Sequence, residues 1–404
     1  MTHIPYRWLL VASGGLIGCV AMGTFFSLPV LLLAIVRDTG WSSASVSVAM
    51  TLGFLALAVG SLTWGALTDR YGPRVVVVLG SLIIPSCAAL AAHAHAVLTF
   101  QLLFGIGVGL GTAAIFAPLM ATVTGWFDTH RSLAVSLVSA GIGLAPMTLS
   151  PLAAKLLATT HDWRYTLQLL AALAITLMLP LSLTVRRPPM PDTAGQQINQ
   201  PMQTARTGEV LRSPLFIILL LTNFFCCATH SGPIIHTISY ALTCGLPLTA
   251  AVSIYSMEGL AGLGGRLVFG LAGDRFGAKR VLVAGLLAQA IGTLGYLAAT
   301  SLWGFYAAGA TFGFIYAGVM PLYAVLAREN FPMRMMGTVI GGTTMAGSLG
   351  MATGPIAGGL IFQTTGTYRG LYLSAFVLGL TATLIALLFR PAPPPPSHPA
   401  PTMA

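Results

Sequence analysis

The sequence predicts an all-α integral membrane protein of twelve transmembrane helices arranged as two pseudo-symmetric six-helix lobes, and three observations carry that expectation. Of 404 residues, 56% are hydrophobic and only 7% are charged, where a soluble globular protein carries about 25% charged residues. Runs of about 20 mostly apolar residues, the length that crosses a bilayer, recur from end to end. The two halves also repeat one another.

The runs place spans at 8–36, 44–68, 75–96, 97–126, 132–158, 164–185, 213–242, 247–272, 281–299, 301–327, 336–363 and 368–389. The first is too long for the core of a signal peptide, so it is expected to be retained. Connections are short except for Pro188 to Arg212, which is polar and rich in Pro, Gln and Thr and reads as a linker. The expected division is a first lobe at 1–187, a cytoplasmic linker at 188–212, a second lobe at 213–390 and a Pro-rich, disordered tail at 391–404.

Loop charge sets the orientation. Of the 19 Lys and Arg, fourteen collect on one side, among them Arg7, Arg70, Arg74, Arg186, Arg187, Arg275 and Arg280. Arg37, Lys155, Arg164 and Arg369 collect on the other. Both termini and the linker are therefore expected in the cytoplasm, in the plasma (inner) membrane of a prokaryote. The net charge of +10 is scattered through short loops, which argues against nucleic-acid binding. The five cysteines form no Cys-x-x-Cys and lie in or beside apolar stretches, which fits neither a disulfide framework nor a metal site. The spans hold no metal-ligand cluster and no nucleophile beside a base, so neither an enzyme nor a cofactor is expected.

The repeat is explicit. GALTDRYGPRVVV from Gly65 and GLAGDRFGAKRVL from Gly270 align at an offset of 205 residues, pairing Asp69 with Asp274, Arg70 with Arg275 and Gly72 with Gly277. Gly143 and Pro151 meet Gly347 and Pro355 at an offset of 204. Six-helix repeats of like orientation are the arrangement of two-lobed transporters, with substrate bound between the lobes near mid-membrane.

Within this frame one charge stands out. Arg266 lies inside the apolar run of GLGGRLVFGLAGDRFGAKR, while its counterpart at the same offset is Ser61. A charge at the bilayer centre costs about 3 kcal/mol or more, so such residues face a pathway or a partner. A guanidinium also matches carboxylate geometry. The competing reading is a permanent ion pair that only locks helices. Glu258 is the one acid inside an expected span, eight residues before Arg266. That spacing puts it about 12 Å along the helix and rotated by about 80°, too far for a fixed pair but suited to carrying a proton. His236 and Tyr240 are one turn apart, after a Gly232-Pro233 pair expected to bend or break the seventh helix. His230 is a weaker candidate of the same kind.

Through G-x-L-x-D-R-x-G-x-[KR] and its copy, the whole chain resembles a major facilitator superfamily transporter. WFDTHRSLAVSLVSAGIG, Trp126 to Gly143, resembles the fifth-helix signature of the monocarboxylate transporter family. GGRLVFGLAGDRFG resembles the eighth helix of oxalate/formate-type antiporters and lactate transporters, in which an arginine holds the substrate carboxylate; Arg266 occupies that position. The paired aromatics Phe312 and Tyr316 resemble the lining of the oxalate/formate-type cavity, and Phe26 and Phe116 occupy similar lining positions.

The resemblance implies gating by Asp69, Arg70 and Arg74 and by Asp274, Arg275 and Arg280. Their acids would accept from helix N-termini, and their arginines would pair across lobes. The glycines of helices five and eleven, including Gly141, Gly143, Gly347 and Gly350, would form the moving surfaces. Together these readings predict a monomeric secondary transporter of a small organic anion, most simply a lactate- or pyruvate-sized monocarboxylate moved with a proton. Substrate would meet Arg266, His236, Tyr240 and the four aromatics, with Glu258 or His236 coupling the proton. The alternative is carboxylate exchange of the oxalate/formate type.

Overall fold

The computed structural model describes residues 4–127, 129–188, 207–299 and 301–389. Most of the expected linker (189–206) and the whole expected tail (391–404) lie outside the described residues. The described chain is helical throughout. In chain order the long rods are α1 (Ile4–Phe25 and Leu28–Thr39), α2 (Ser43–Tyr71), α3 (Pro73–Ala91), α4 (Val97–Trp126), α5 (Arg131–Gly143 and Ala145–Thr160) and α6 (Trp163–Ser182). After a short helix, Thr207–Leu211, come α7 (Pro214–Thr243), α8 (Leu248–Phe276), α9 (Ala278–Ala298), α10 (Leu302–Asn330), α11 (Met336–Thr365) and α12 (Arg369–Leu388).

Among the described residues nine segments are long and apolar enough to cross a membrane by length and composition. The Gly-, Ser- and Thr-rich rods α5, α8 and α11 complete the twelve. Side chains start several of them. Ser42, Ser213 and Ser301 each accept from a backbone N–H three residues on, and Asp162 accepts from Arg164 and Tyr165, which satisfies N–H groups that a helix start leaves open.

Three local expectations change. The paired Asp-Arg motifs are not loops: Asp69 and Arg70 sit in the last turn of α2, and Asp274 and Arg275 in the last turn of α8. The chain turns only at Gly72 (φ 94°) and Gly277 (φ 88°), a conformation that L side chains avoid. The first and fifth spans are broken rather than continuous. Each restarts one or two residues after the break with a proline in its first turn, Pro29 in α1 and Pro146 in α5, where the missing N–H costs nothing. Conversely, α7 runs unbroken through Gly232-Pro233. There the Ser231 hydroxyl donates to the Met351 carbonyl of α11, and the Thr237 hydroxyl donates to the Pro233 carbonyl at 2.6 Å. Neighbouring helices and hydroxyls of this kind are what make proline tolerable inside membrane helices.

Most packing is within each half. The halves meet along α2–α11 and α5–α8, with α4 and α5 also touching α10 and α4 touching α11. Lipid gives helices no hydrophobic reason to associate, so close backbone approach does the work. A β-carbon on Gly65 would overlap the Gly337 carbonyl, and one on Gly270 would overlap Ser136. Both crossings lie near the motif end of the molecule.

Candidate functional site

Arg266 projects from α8 to the surface between the halves. Its Nε donates to the Ser139 hydroxyl of α5 at 3.1 Å. A β-carbon on Gly143 would occupy the place of the guanidinium, so α5 is shaped around it. The Tyr316 phenol on α10 lies within electrostatic reach. No carboxylate oxygen among the described residues stands within 4.0 Å of the guanidinium. The Ser61 position also faces the opposite half, because a β-carbon on Gly341 of α11 would overlap the Ser61 carbonyl. The repeat thus carries two equivalent interface positions, and only one bears charge.

The motif acids each close a helix start across the interface. Asp69 accepts from the backbone N–H of Gly337 and of Thr338, both at 2.7 Å, and from the Thr338 hydroxyl, in the first turn of α11. Asp274 accepts from the N–H of Ser132 at 2.9 Å and of Leu133 at 3.1 Å, in the first turn of α5. A carboxylate suits this place because the open N–H groups and the positive end of the helix dipole meet there. The arginines behave differently from the expected cross-lobe pairing. Arg74 donates to the Val185 carbonyl within its own half at 2.9 Å. Arg70 and Arg275 lie over the neighbouring rings of Tyr71 and Phe276, 5.2 and 5.3 Å from their centroids, and Arg280 is exposed.

Glu258 is 1% exposed and faces the interior of the second half rather than the surface between halves. The Tyr296 hydroxyl donates to its Oε2 at 3.4 Å, while Oε1 has no hydrogen-bond partner among the described residues. Tyr296 stacks on Tyr372 at 5.0 Å and meets Phe312 edge-on at 5.7 Å. Phe312 leads to Tyr316 at 5.6 Å, and Tyr316 stacks on His230 at 5.0 Å. An aromatic run therefore connects the surroundings of Arg266 with those of Glu258.

The other candidates fall elsewhere. Tyr240 packs among Phe305, Tyr368 and Tyr372. His236 lies against the Tyr368 ring at 5.2 Å and where a β-carbon on Gly358 would sit. Phe26 marks the break in α1, edge-on to Phe25 and Phe54, and Phe116 packs half-buried against the main core. Sequence reasoning missed Ser139, Tyr296, Tyr372 and Thr338. Ser139 lay inside a quoted motif as one small residue among many; the tyrosines come together only in three dimensions.

The chain matches the Major Facilitator Superfamily profile over residues 14–341 and 259–403. It is 26% identical over 393 residues to monocarboxylate transporter 13 of Bos taurus, covering 95% of this chain and 89% of that protein. To monocarboxylate transporter 11 of Homo sapiens it is 28% identical over 368 residues, covering 86% and 74%. Among solved structures, the proton:xylose symporter XylE bound to 6-bromo-6-deoxy-D-glucose superposes with a TM-score of 0.77 at 15% identity, covering 95% and 96%, a likeness of fold. These are transporters, not enzymes, and this multi-pass membrane chain belongs to the Major Facilitator Superfamily.

Proposed function

We propose that the protein is a secondary active transporter of small organic anions, moving a lactate- or pyruvate-sized monocarboxylate together with a proton by alternating access. One observation carries the reading: Arg266 stands at the meeting of the two halves with Ser139 as its hydrogen-bond partner and no carboxylate beside it among the described residues. A guanidinium placed at such cost and left with donors to spare is matched by a carboxylate that arrives from outside. The similarity to monocarboxylate transporters 13 and 11 supports the same class.

In this reading Tyr316 and Phe312 line the path beside Arg266, with Phe26 and Phe116 contributed by the first half. His236 and Tyr240, held in the Tyr368–Tyr372 cluster, serve packing. Glu258 carries the proton, because it is the buried carboxylate joined to the Arg266 region by the aromatic run. Asp69 and Asp274 hold the halves together at the motif end and release them when the carrier turns over. The six-helix lobes are residues 1–187 and 213–390, joined by 188–212. The bias of basic residues supports cytoplasmic termini, and we assign the monomeric protein to a prokaryotic plasma membrane.

Carboxylate exchange is the second reading, favoured by the same arginine without need of Glu258. Uptake of radiolabelled lactate, pyruvate and oxalate into proteoliposomes separates the two. Gradient-driven accumulation of a monocarboxylate, lost in Arg266→Gln, supports symport. Oxalate movement only into preloaded vesicles supports exchange. Flux that ignores Arg266→Gln removes the anion reading altogether.

A further inference from the structure

After α6 ends at Ser182, the chain does not leave the molecule. Residues Thr184 to Arg186 present three successive carbonyls to three different helices. The Tyr6 hydroxyl of α1 donates to the Thr184 carbonyl at 2.6 Å, Arg74 of α3 to that of Val185 at 2.9 Å, and the Trp126 indole of α4 to that of Arg186 at 3.1 Å. Val185 is fully buried, and the Arg186 guanidinium lies 5.3 Å from the Tyr6 ring centroid. The next residue turns back to α2: Arg187 Nη2 donates to the carbonyls of Asp69 and Arg70, at 3.2 and 3.0 Å. These are carbonyls of the last turn of α2, which a helix end leaves unsatisfied and where a cation is favoured.

Asp69 is thus held twice. Its carboxylate reaches across to the first turn of α11, and its backbone is held from behind by Arg187. We infer that Arg187 is a positioning residue for the Asp69 contact, and that the strap Thr184–Arg187 fixes the end of α2 on α1, α3 and α4 so that this contact breaks only by movement of the first half as one body. The idea rests on the gating role given above to Asp69. A β-carbon on Gly72 would meet Arg187 Nε at 2.9 Å, whereas among the described residues nothing stands within 4 Å of one on Gly277, the matching position at the second gate. Among the described residues the Asp69–α11 side is therefore braced by a cation and the Asp274–α5 side is not.

Amide hydrogen exchange on the full chain in nanodiscs tests this without any substrate, so the fate of the anion reading does not decide it. The N–H groups of Gly337 and Thr338 report the Asp69 contact, and those of Ser132 and Leu133 report the Asp274 contact. The expected result for Arg187→Ala is exchange at 337–338 faster by about two- to fivefold, the size of a helix-end charge effect, with 132–133 unchanged. Arg187→Lys restores most of the protection, and Tyr6→Phe, which loosens the strap at another point, gives a smaller change of the same sign. Unchanged exchange at 337–338 in Arg187→Ala overturns the inference. So does an equal rise at both sites, which marks general loosening. If Asp69→Asn itself leaves 337–338 protected, the gating reading fails instead.

Discussion

Asp274 stands to Ser132 as Asp69 stands to Gly337. Each carboxylate accepts from backbone N–H groups in the first turn of a helix in the opposite half, and both the acids and the donor N–H groups are 205 residues apart. The symmetry is incomplete, because Asp69 also takes the Thr338 hydroxyl.

The two gates are therefore unequal. Loss of a helix-capping group costs about 1–2 kcal/mol, a five- to thirtyfold change in an equilibrium. Asp69→Asn is expected to open the motif end more than Asp274→Asn does. Thiol labelling of a cysteine introduced on α11 near Thr338 measures it, and equal labelling of the two variants is the contrary outcome.

Gly143 sits where the Arg266 guanidinium must pass. Gly143→Ala forces that group to shift, at a cost of about 1–3 kcal/mol, and is expected to lower transport about tenfold or more in protein that still folds. Gly264→Ala is the matched control on α8, because its β-carbon would meet only the Phe314 side chain at ordinary contact, 3.7 and 3.8 Å. Proteoliposome uptake by the two variants should differ sharply.

Proton coupling through Glu258 has a definite sign. A symporter takes the proton as co-substrate, so uptake rises as the external pH is lowered below neutrality. Glu258→Gln, which keeps the Tyr296 contact but cannot release a proton, is expected to flatten that dependence while leaving anion exchange between preloaded vesicles intact. A wild-type pH response preserved in the variant assigns the proton to another group.

The sequence carried most of the helices because apolar length specifies a span, and it carried the paired acids because the repeat aligned them. The breaks were harder. Chain position alone does not tell Pro29 and Pro146, which restart helices, from Pro233, which α7 absorbs. The difference is tertiary, in the hydrogen bond from Ser231 to Met351. Spacing likewise put His236 and Tyr240 on one face, but the face they share packs on Tyr368 and Tyr372 of the last loop and helix, a partnership no local pattern encodes. Arg266 was legible because a lone charge in an apolar run has few explanations. Ser139, its partner, was not, because serine is common in small-residue helices.

Arg266 is the residue expected to hold the transported anion. Equilibrium binding of radiolabelled lactate and pyruvate to purified protein in nanodiscs, for wild type, Arg266→Lys and Arg266→Gln, measures that directly. Removing a charged hydrogen-bond partner costs about 1.5–3 kcal/mol, so Arg266→Gln should weaken binding by about 10- to 150-fold, with Arg266→Lys in between. Equal affinity in wild type and Arg266→Gln would contradict the account and leave Arg266 as a tether to Ser139.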